Sequence, residues 1–216
     1  TFIGNNIDIQ SSFHSVNHKT PENKFDTTDI PNIPYLQASR NGLSTGIKTS
    51  FDSSAFLLGG FSGDSQQNRL ATKGFVAEYA LDFSNSDFSF FAGQTSEKDG
   101  FLDTAIRGAF ADNPSAETTY FGALANGQIS KNWDYNVALS FGDTDFTQGS
   151  IGLLKDINNV KSSAFSFDFK NKPGIFDNDG FRVGFSQPFR VESGEATISV
   201  PGLYDEGGKL KYENMR

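Results

Sequence analysis

The sequence predicts an all-β chain: an antiparallel, up-and-down barrel of about 10–12 strands that need not close within these 216 residues. Three observations predict it. The first is a two-residue alternation along most of the chain. Phe75, Ala77, Tyr79, Leu81 and Phe83 oppose Gly74, Val76, Glu78, Ala80 and Asp82, and Trp133, Tyr135, Val137, Leu139 and Phe141 oppose Asp134, Asn136, Ala138, Ser140 and Gly142. Phe165, Phe167 and Phe169 oppose Ser166 and Asp168, while Phe181, Val183 and Phe185 oppose Arg182, Gly184 and Ser186. Successive side chains of a strand point to opposite faces, so each segment has one apolar and one polar side. The second is that roughly every second connection is short. The third is strand length: many candidates exceed the five or six residues usual in soluble sheets.

In chain order, residues 6–16 form the first expected strand, patterned by Ile7, Ile9 and Phe13. Residues 17–43, with Pro21, Pro31 and Pro34, read as a long polar loop with a short strand near Tyr35. Residues 1–43 are thus an N-terminal strand and Pro-containing loop, and residues 44–216 the barrel, expected to stop before its last strands. Further strands are expected near 44–51, 54–62, 73–84, 87–96, 118–130, 133–146, 161–171, 181–191, 195–201 and 209–215. Tight turns are expected at Ser84-Asn85-Ser86-Asp87, at Ser130-Lys131-Asn132 and at Glu192-Ser193-Gly194. The connections 63–72, 97–117 and 147–160 are longer and polar, and 103–110 has the composition of a single helical turn. Pro188 interrupts an otherwise good strand, which calls for a bulge at Gln187-Pro188.

Composition narrows the function. The formal charge is −8 and no basic run exists, which argues against a nucleic-acid partner. With no cysteine, disulfides, thiolate catalysis and cysteine zinc sites are excluded. No apolar run approaches the ~20 residues of a transmembrane helix. Thr1-Phe2-Ile3-Gly4 has neither the charged nor the apolar region of a signal peptide, so an exported protein would be numbered from downstream of its signal.

The aromatic face either fills a soluble core or meets lipid. Three features favour lipid. Ten or so strands enclose more space than side chains fill, and Gly, Ser, Asp, Asn and Arg suit a wet lumen. Strands of 9–13 residues reach the ~9–11 needed to cross a bilayer at a tilt. Aromatics stand at the ends of the apolar stripes: Phe83, Trp133, Phe146, Phe169 and Phe181. The lipid-facing candidates are therefore Phe75, Tyr79, Leu81, Phe83, Trp133, Tyr135, Val137, Leu139, Phe141, Phe165, Phe167, Phe169, Phe181, Val183 and Phe185. The lumen-lining candidates are Glu78, Asp82, Asp134, Asn136, Asp168 and Arg182, and pairing among them is expected because ionised groups in a narrow space seek partners.

No catalytic, metal or cofactor site is expected. His14 and His18 have the i, i+4 spacing of a metal pair only on a helix, which their Pro-rich surroundings disfavour. Asp177-Asn178-Asp179-Gly180 is half a calcium loop without its closing Glu, and reads as a β-turn. Gly60-Phe61-Ser62-Gly63-Asp64 places a Ser between glycines without the strand-turn-helix elbow of a hydrolase.

Residues 162–194 carry a resemblance. Ser162-Ser163-Ala164-Phe165, the turn at 175–180, and the run from Phe181 through Ser186-Gln187-Pro188-Phe189-Arg190-Val191 to Gly194 resemble the C-terminal β-barrel region of subtilisin-like autotransporter proteases of alphaproteobacteria. Fainter likenesses lie at 87–101 and 118–130. The resemblance implies a Gram-negative outer-membrane translocator and anchor, with the lipid bilayer and a covalently linked passenger domain as partners. The family's protease motifs lie in its passenger and have no counterpart here. Its barrels also run on beyond the strand of the Ser-Gln-Pro motif, so the edge at 209–215 is expected to take a β-strand partner: residues 6–16, another chain or more of the precursor. Two other readings stay open, a secreted or surface-exposed β-domain used for binding or assembly, and a passive porin-like channel.

Overall fold

In the computed structural model, residues 2–5, 35, 41–64, 71–102, 104–106, 114–147, 153–171, 181–204 and 210–215 are described. Nearly all of them lie in strands: β1 (Phe2–Asn5), β2 (Asn41–Phe51), β3 (Ser54–Asp64), β4 (Ala71–Phe83), β5 (Ser86–Lys98), β6 (Gly100–Phe101), β7 (Thr104–Ala105), β8 (Ser115–Ser130), β9 (Trp133–Thr147), β10 (Leu154–Asn171), β11 (Phe181–Tyr204) and β12 (Leu210–Met215). Ten form one antiparallel sheet in the order β1-β2-β3-β4-β5-β8-β9-β10-β11-β12, and β6 and β7 make a separate hairpin. Each strand pairs with its neighbour along the chain, the up-and-down order that the alternation predicts.

The hairpins β2–β3, β4–β5 and β8–β9 turn on two residues each, Asp52-Ser53, Ser84-Asn85 and Lys131-Asn132. Asp, Asn and Ser suit such turns because their side chains bond the local backbone. All three turns fall at one rim, where the 172–180 connection also falls, and the connections 65–70, 99–114 and 148–153 fall at the other. The rim is tied laterally as well: the amides of Asp82 and Gln128 donate to the carbonyls of Ser53 and Asn85, both at 2.8 Å.

The sheet is one layer thick, yet Val76 and Tyr120 are fully buried. A single sheet hides such side chains by curling and by being covered, and Tyr35 of the β1–β2 connection covers part of this inner face. Leu57 and Phe61 of β3, Val76 of β4, Phe91 of β5, Tyr120 and Leu124 of β8, and Ala138 of β9 form that inner cluster, with Tyr35 within it and Phe189 of β11 packed against it. The marginal strands β1 and β12 share no ladder among the described residues, so hydrogen bonds do not close the sheet there, as in an incomplete barrel. Closure by the first strand is therefore absent among the described residues, and the strand expected over 6–16 lies outside them.

Three expectations need correction. Glu192-Ser193-Gly194 is not a turn: β11 continues through it, because β10 reaches back to Leu154 and offers ladder partners as far as Ile198. Tyr35 is not in a strand but in a 3₁₀-like turn. The stretch near 103–110 contributes a strand, Thr104–Ala105, where a helical turn was expected. Within the sheet, β1 pairs with β2, and Asn41 to Leu43 pair with β3.

Three non-glycine residues have positive φ: Asp99, Leu102 and Asn159. Asp99, with φ 62°, turns β5 into the small hairpin, its amide donating to the Pro114 carbonyl. Asn159, with φ 54°, stands at a register shift in β10; Asn and Asp enter this left-handed region more readily than most residues. The ladder also shifts between Ser163–Arg190 and Phe165–Gln187, which places a bulge at Pro188-Phe189. Phe181 and Phe185 of this strand are exposed on the outer face, whereas Phe189 turns inward against Tyr35. The bulge switches the face of an odd-numbered residue.

Candidate functional site

The hydrogen-bond register converts the one-dimensional stripes into a two-dimensional belt. Thr49, Phe56, Tyr79, Phe90, Ala123, Leu139 and Phe165 are successive cross-strand partners across seven strands. A second row runs Ile47, Leu58, Ala77, Ala92, Phe121, Phe141, and a third Leu81, Phe88, Ala125, Val137, Phe167, Phe185.

Among the lipid-facing candidates, Phe75, Tyr79, Phe83, Trp133, Leu139, Phe141, Phe181 and Phe185 are exposed large hydrophobics, Phe185 at 66%. Leu81, Val137, Phe165 and Phe167 are half-buried in the same rows, and Tyr135, Phe169 and Val183 are half-buried in a fourth. Leu43, Ile47, Phe51, Phe56, Leu58, Phe90 and Phe121 extend the belt onto strands that the candidate set did not reach. Monomeric soluble proteins rarely expose a contiguous apolar patch beyond a few hundred Å².

The belt has edges. At the short-turn rim Phe51, Phe83, Trp133 and Phe181 stand at strand ends, Phe83 edge-on to Phe88 at 5.8 Å and Trp133 edge-on to Phe181 at 6.5 Å. Tyr135 lies among them and its hydroxyl reaches Ser86 Oγ at 3.1 Å. Toward the long-loop rim the outer rows become Gln94, Thr119, Asp143, Lys161 and then Lys73, Ser96, Glu117, Asp145. Between these limits β9 runs from Trp133 to Phe141, about 27 Å along the strand at ~3.4 Å per residue. Phe146 does not belong to this belt. It pairs with Ala116 on the inner face and packs edge-on against Phe101 at 5.8 Å, because its even number sets it opposite Trp133 and Phe141.

The inner face is polar near the short turns and packed above them. Asp82, Asp87, Asn126, Asn136 and Asp168 are successive partners in one row, and Gln128, Asp134, Lys170 and Arg182 in the next. Of the lumen-lining candidates, Asp82, Asn136 and Asp168 therefore share a level, with Asp134 and Arg182 one level nearer the turns. Arg182 Nε donates to both Asp168 carboxylate oxygens at 2.8 Å, and the pair is partly exposed, 37% and 26%. Glu78 stands apart, only 2% exposed, between Leu57 and Phe91. Asp87, Asn126 and Lys170 complete the rows. Counting parity through their strands would have found them.

Above this level lies what parity does not reveal. The Tyr35 ring stacks on Tyr120 at 4.7 Å with planes 10° apart, and meets Phe189 edge-on at 5.1 Å. Its hydroxyl is 3.0 Å from Ser162 Oγ. Burial raises the Tyr35 phenol to about 12, the Ser162 bond pulling the other way. Beyond it, Thr118 and Thr144 join by their hydroxyls at 2.9 Å.

Gly60-Phe61-Ser62-Gly63-Asp64 is extended strand within β3, without an elbow. His14, His18 and Asp177-Asn178-Asp179-Gly180 lie outside the described residues. Among the described residues no group of His, Asp or Glu is placed to hold a metal ion, and no helix is long and apolar enough to cross a membrane. No family model, curated protein or solved structure matches the chain.

Proposed function

We propose that this chain is the translocator and anchor barrel of an autotransporter-type surface protein in a Gram-negative outer membrane, structural rather than catalytic, with a covalently linked passenger. The observation that carries the membrane reading is the continuous outer belt, bounded by aromatic strand ends on one side and charged rows on the other. At a tilt of 35–45° its length corresponds to about 20 Å of height, near the ~25 Å apolar band of such barrels. In hydrocarbon, backbone pairing around the wall leaves few polar groups unsatisfied. The translocator reading draws on the likeness of residues 162–194, which fall on β10, β11 and the connection between them. It requires strand partners for the outer edges of β1 and β12 and for the stretches of β2 and β11 that these short strands do not cover.

Flotation tests the membrane reading. The refolded chain should rise with phosphatidylcholine vesicles through a sucrose gradient and remain monodisperse in water only with detergent. A monodisperse monomer without detergent would overturn it.

A second reading rests on the open edges. β12 pairs with β11 only from Ile198 to Tyr204, so β11 from Phe181 to Thr197 has no second neighbour among the described residues. A surface-exposed assembly module would use such an edge for strand addition. Water-soluble association with a strand-forming partner distinguishes it.

A further inference from the structure

We propose that the inner wall carries a binding slot for a phenol ring, a tyrosine side chain in chemical class, and that Tyr35 is its resident occupant. Four strands build the slot. Tyr120 of β8 supplies a flat face at 4.7 Å, and Phe189 of β11 supplies an edge at 5.1 Å. Gly142 of β9 supplies the floor: a Cβ there would stand 2.6–2.8 Å from the Tyr35 ring and hydroxyl. Ser162 of β10 supplies the polar end, 3.0 Å from the phenol oxygen.

The slot reads a hydroxyl as well as a ring. Ser162 Oγ lies 3.4 Å from the Gly142 carbonyl and donates to it. Ser162 Oγ and the phenol oxygen face each other at 3.0 Å, where either can donate. A phenol supplies both ring and hydroxyl, and an unsubstituted ring leaves the buried Ser162 hydroxyl without this partner. Sites built around a hydrogen bond discriminate strongly against the analogue that lacks it.

The ring comes from outside the wall. Tyr35 belongs to the connection between β1 and β2, 127 residues from Ser162 in sequence, whereas every contact surface belongs to the sheet. Tethering gives Tyr35 a high effective concentration, so a free phenol competes poorly while it is present. A polypeptide segment held within the curled sheet would present its own tyrosine on comparable terms. The slot itself does not depend on whether the outer face meets lipid.

The test is substitution of the resident followed by rescue. The full chain, refolded in detergent, is titrated with p-cresol and with toluene while thermal unfolding is followed, for wild type, Tyr35→Ala, Tyr35→Val and Tyr35→Ala/Gly142→Val. In the two single variants p-cresol should raise the melting temperature saturably, because a ligand that binds only the folded state stabilises it. Toluene should bind about tenfold more weakly. Wild type and the double variant, whose slot is filled, should not respond beyond the common effect of the solvent. Equal responses in wild type and the single variants, or equal affinity for toluene and p-cresol, would overturn the proposal. The valine variant keeps part of the ring volume and serves where alanine prevents refolding.

Discussion

The two faces of the sheet are built on different rules. The outer face is a field of near-equivalent positions, with rows of aromatic and aliphatic side chains in register across neighbouring strands and no residue dependent on one partner. The inner face is a set of particular fits. Tyr120 lies against Gly93, where a Cβ would strike its ring, and its hydroxyl reaches the Phe75 carbonyl at 3.4 Å. Phe91 lies over Gly122 in the same way, and Tyr35 over Gly142. A face that meets a uniform solvent tolerates exchange among apolar residues. A face that meets itself needs each shape answered by its neighbour.

The largest effect expected from this contrast comes from charging the outer face. Tyr79 and Leu139 lie in the middle row of the belt, and Leu139→Lys should cost about 2–4 kcal/mol in folding from urea into vesicles if that row is at the bilayer midplane. The same substitution at Thr119, in the polar row, should cost less than about 1 kcal/mol. Equal costs at the two sites would remove the distinction between belt and rim.

Overpacking the inner face should come next. Gly142→Val forces the Tyr35 ring out of its slot and should cost about 1–3 kcal/mol by equilibrium unfolding. In a Tyr35→Ala background most of that cost should vanish, since the clashing ring is gone, and additive costs would deny the contact.

Alkali should act on the inner face selectively. The Tyr35 phenol is raised from 10.0 to about 12 chiefly by burial, so its neutral form is favoured in the folded chain. Its stabilising contribution is complete below pH 10 and is lost as pH rises toward about 12. Tyr35→Phe should flatten the part of the stability–pH profile between those values that belongs to this residue, and an unchanged profile would assign the alkaline loss elsewhere.

The smallest effect belongs to the Arg182–Asp168 pair. Its partial exposure to water screens it, so Arg182→Ala should cost about 0.5–1 kcal/mol or less, decreasing further with added salt. A much larger, salt-independent loss would mean that this part of the inner face is drier than its exposure indicates.

The outer face was legible because a strand's period is two and lipid or solvent makes the same demand at every second position. Phe75 to Phe83 and Trp133 to Phe141 needed only counting. Counting failed where the count itself changes. The bulge at Pro188-Phe189 carries an odd-numbered Phe from one face to the other. Phe146, by contrast, lies inside as its even number requires, and only its place at the end of an apolar stripe suggested otherwise. The expected turn at Glu192-Ser193-Gly194 failed for a related reason: Ser and Gly favour turns locally, but β10 supplies partners that keep the strand extended.

By itself, then, the sequence determined the all-β class, the up-and-down order and the two-sidedness of most strands, since each follows from spacing within a dozen residues. Only the tertiary structure decided how the rows join into a belt, which polar groups share a level, and that Tyr35 lies against Tyr120, Phe189, Gly142 and Ser162. Those contacts join residues far apart in the chain, and their formation depends on the curl of the sheet. Curl is a sum of small twists over many strands, and no local pattern of residues encodes where that sum will bring two side chains together.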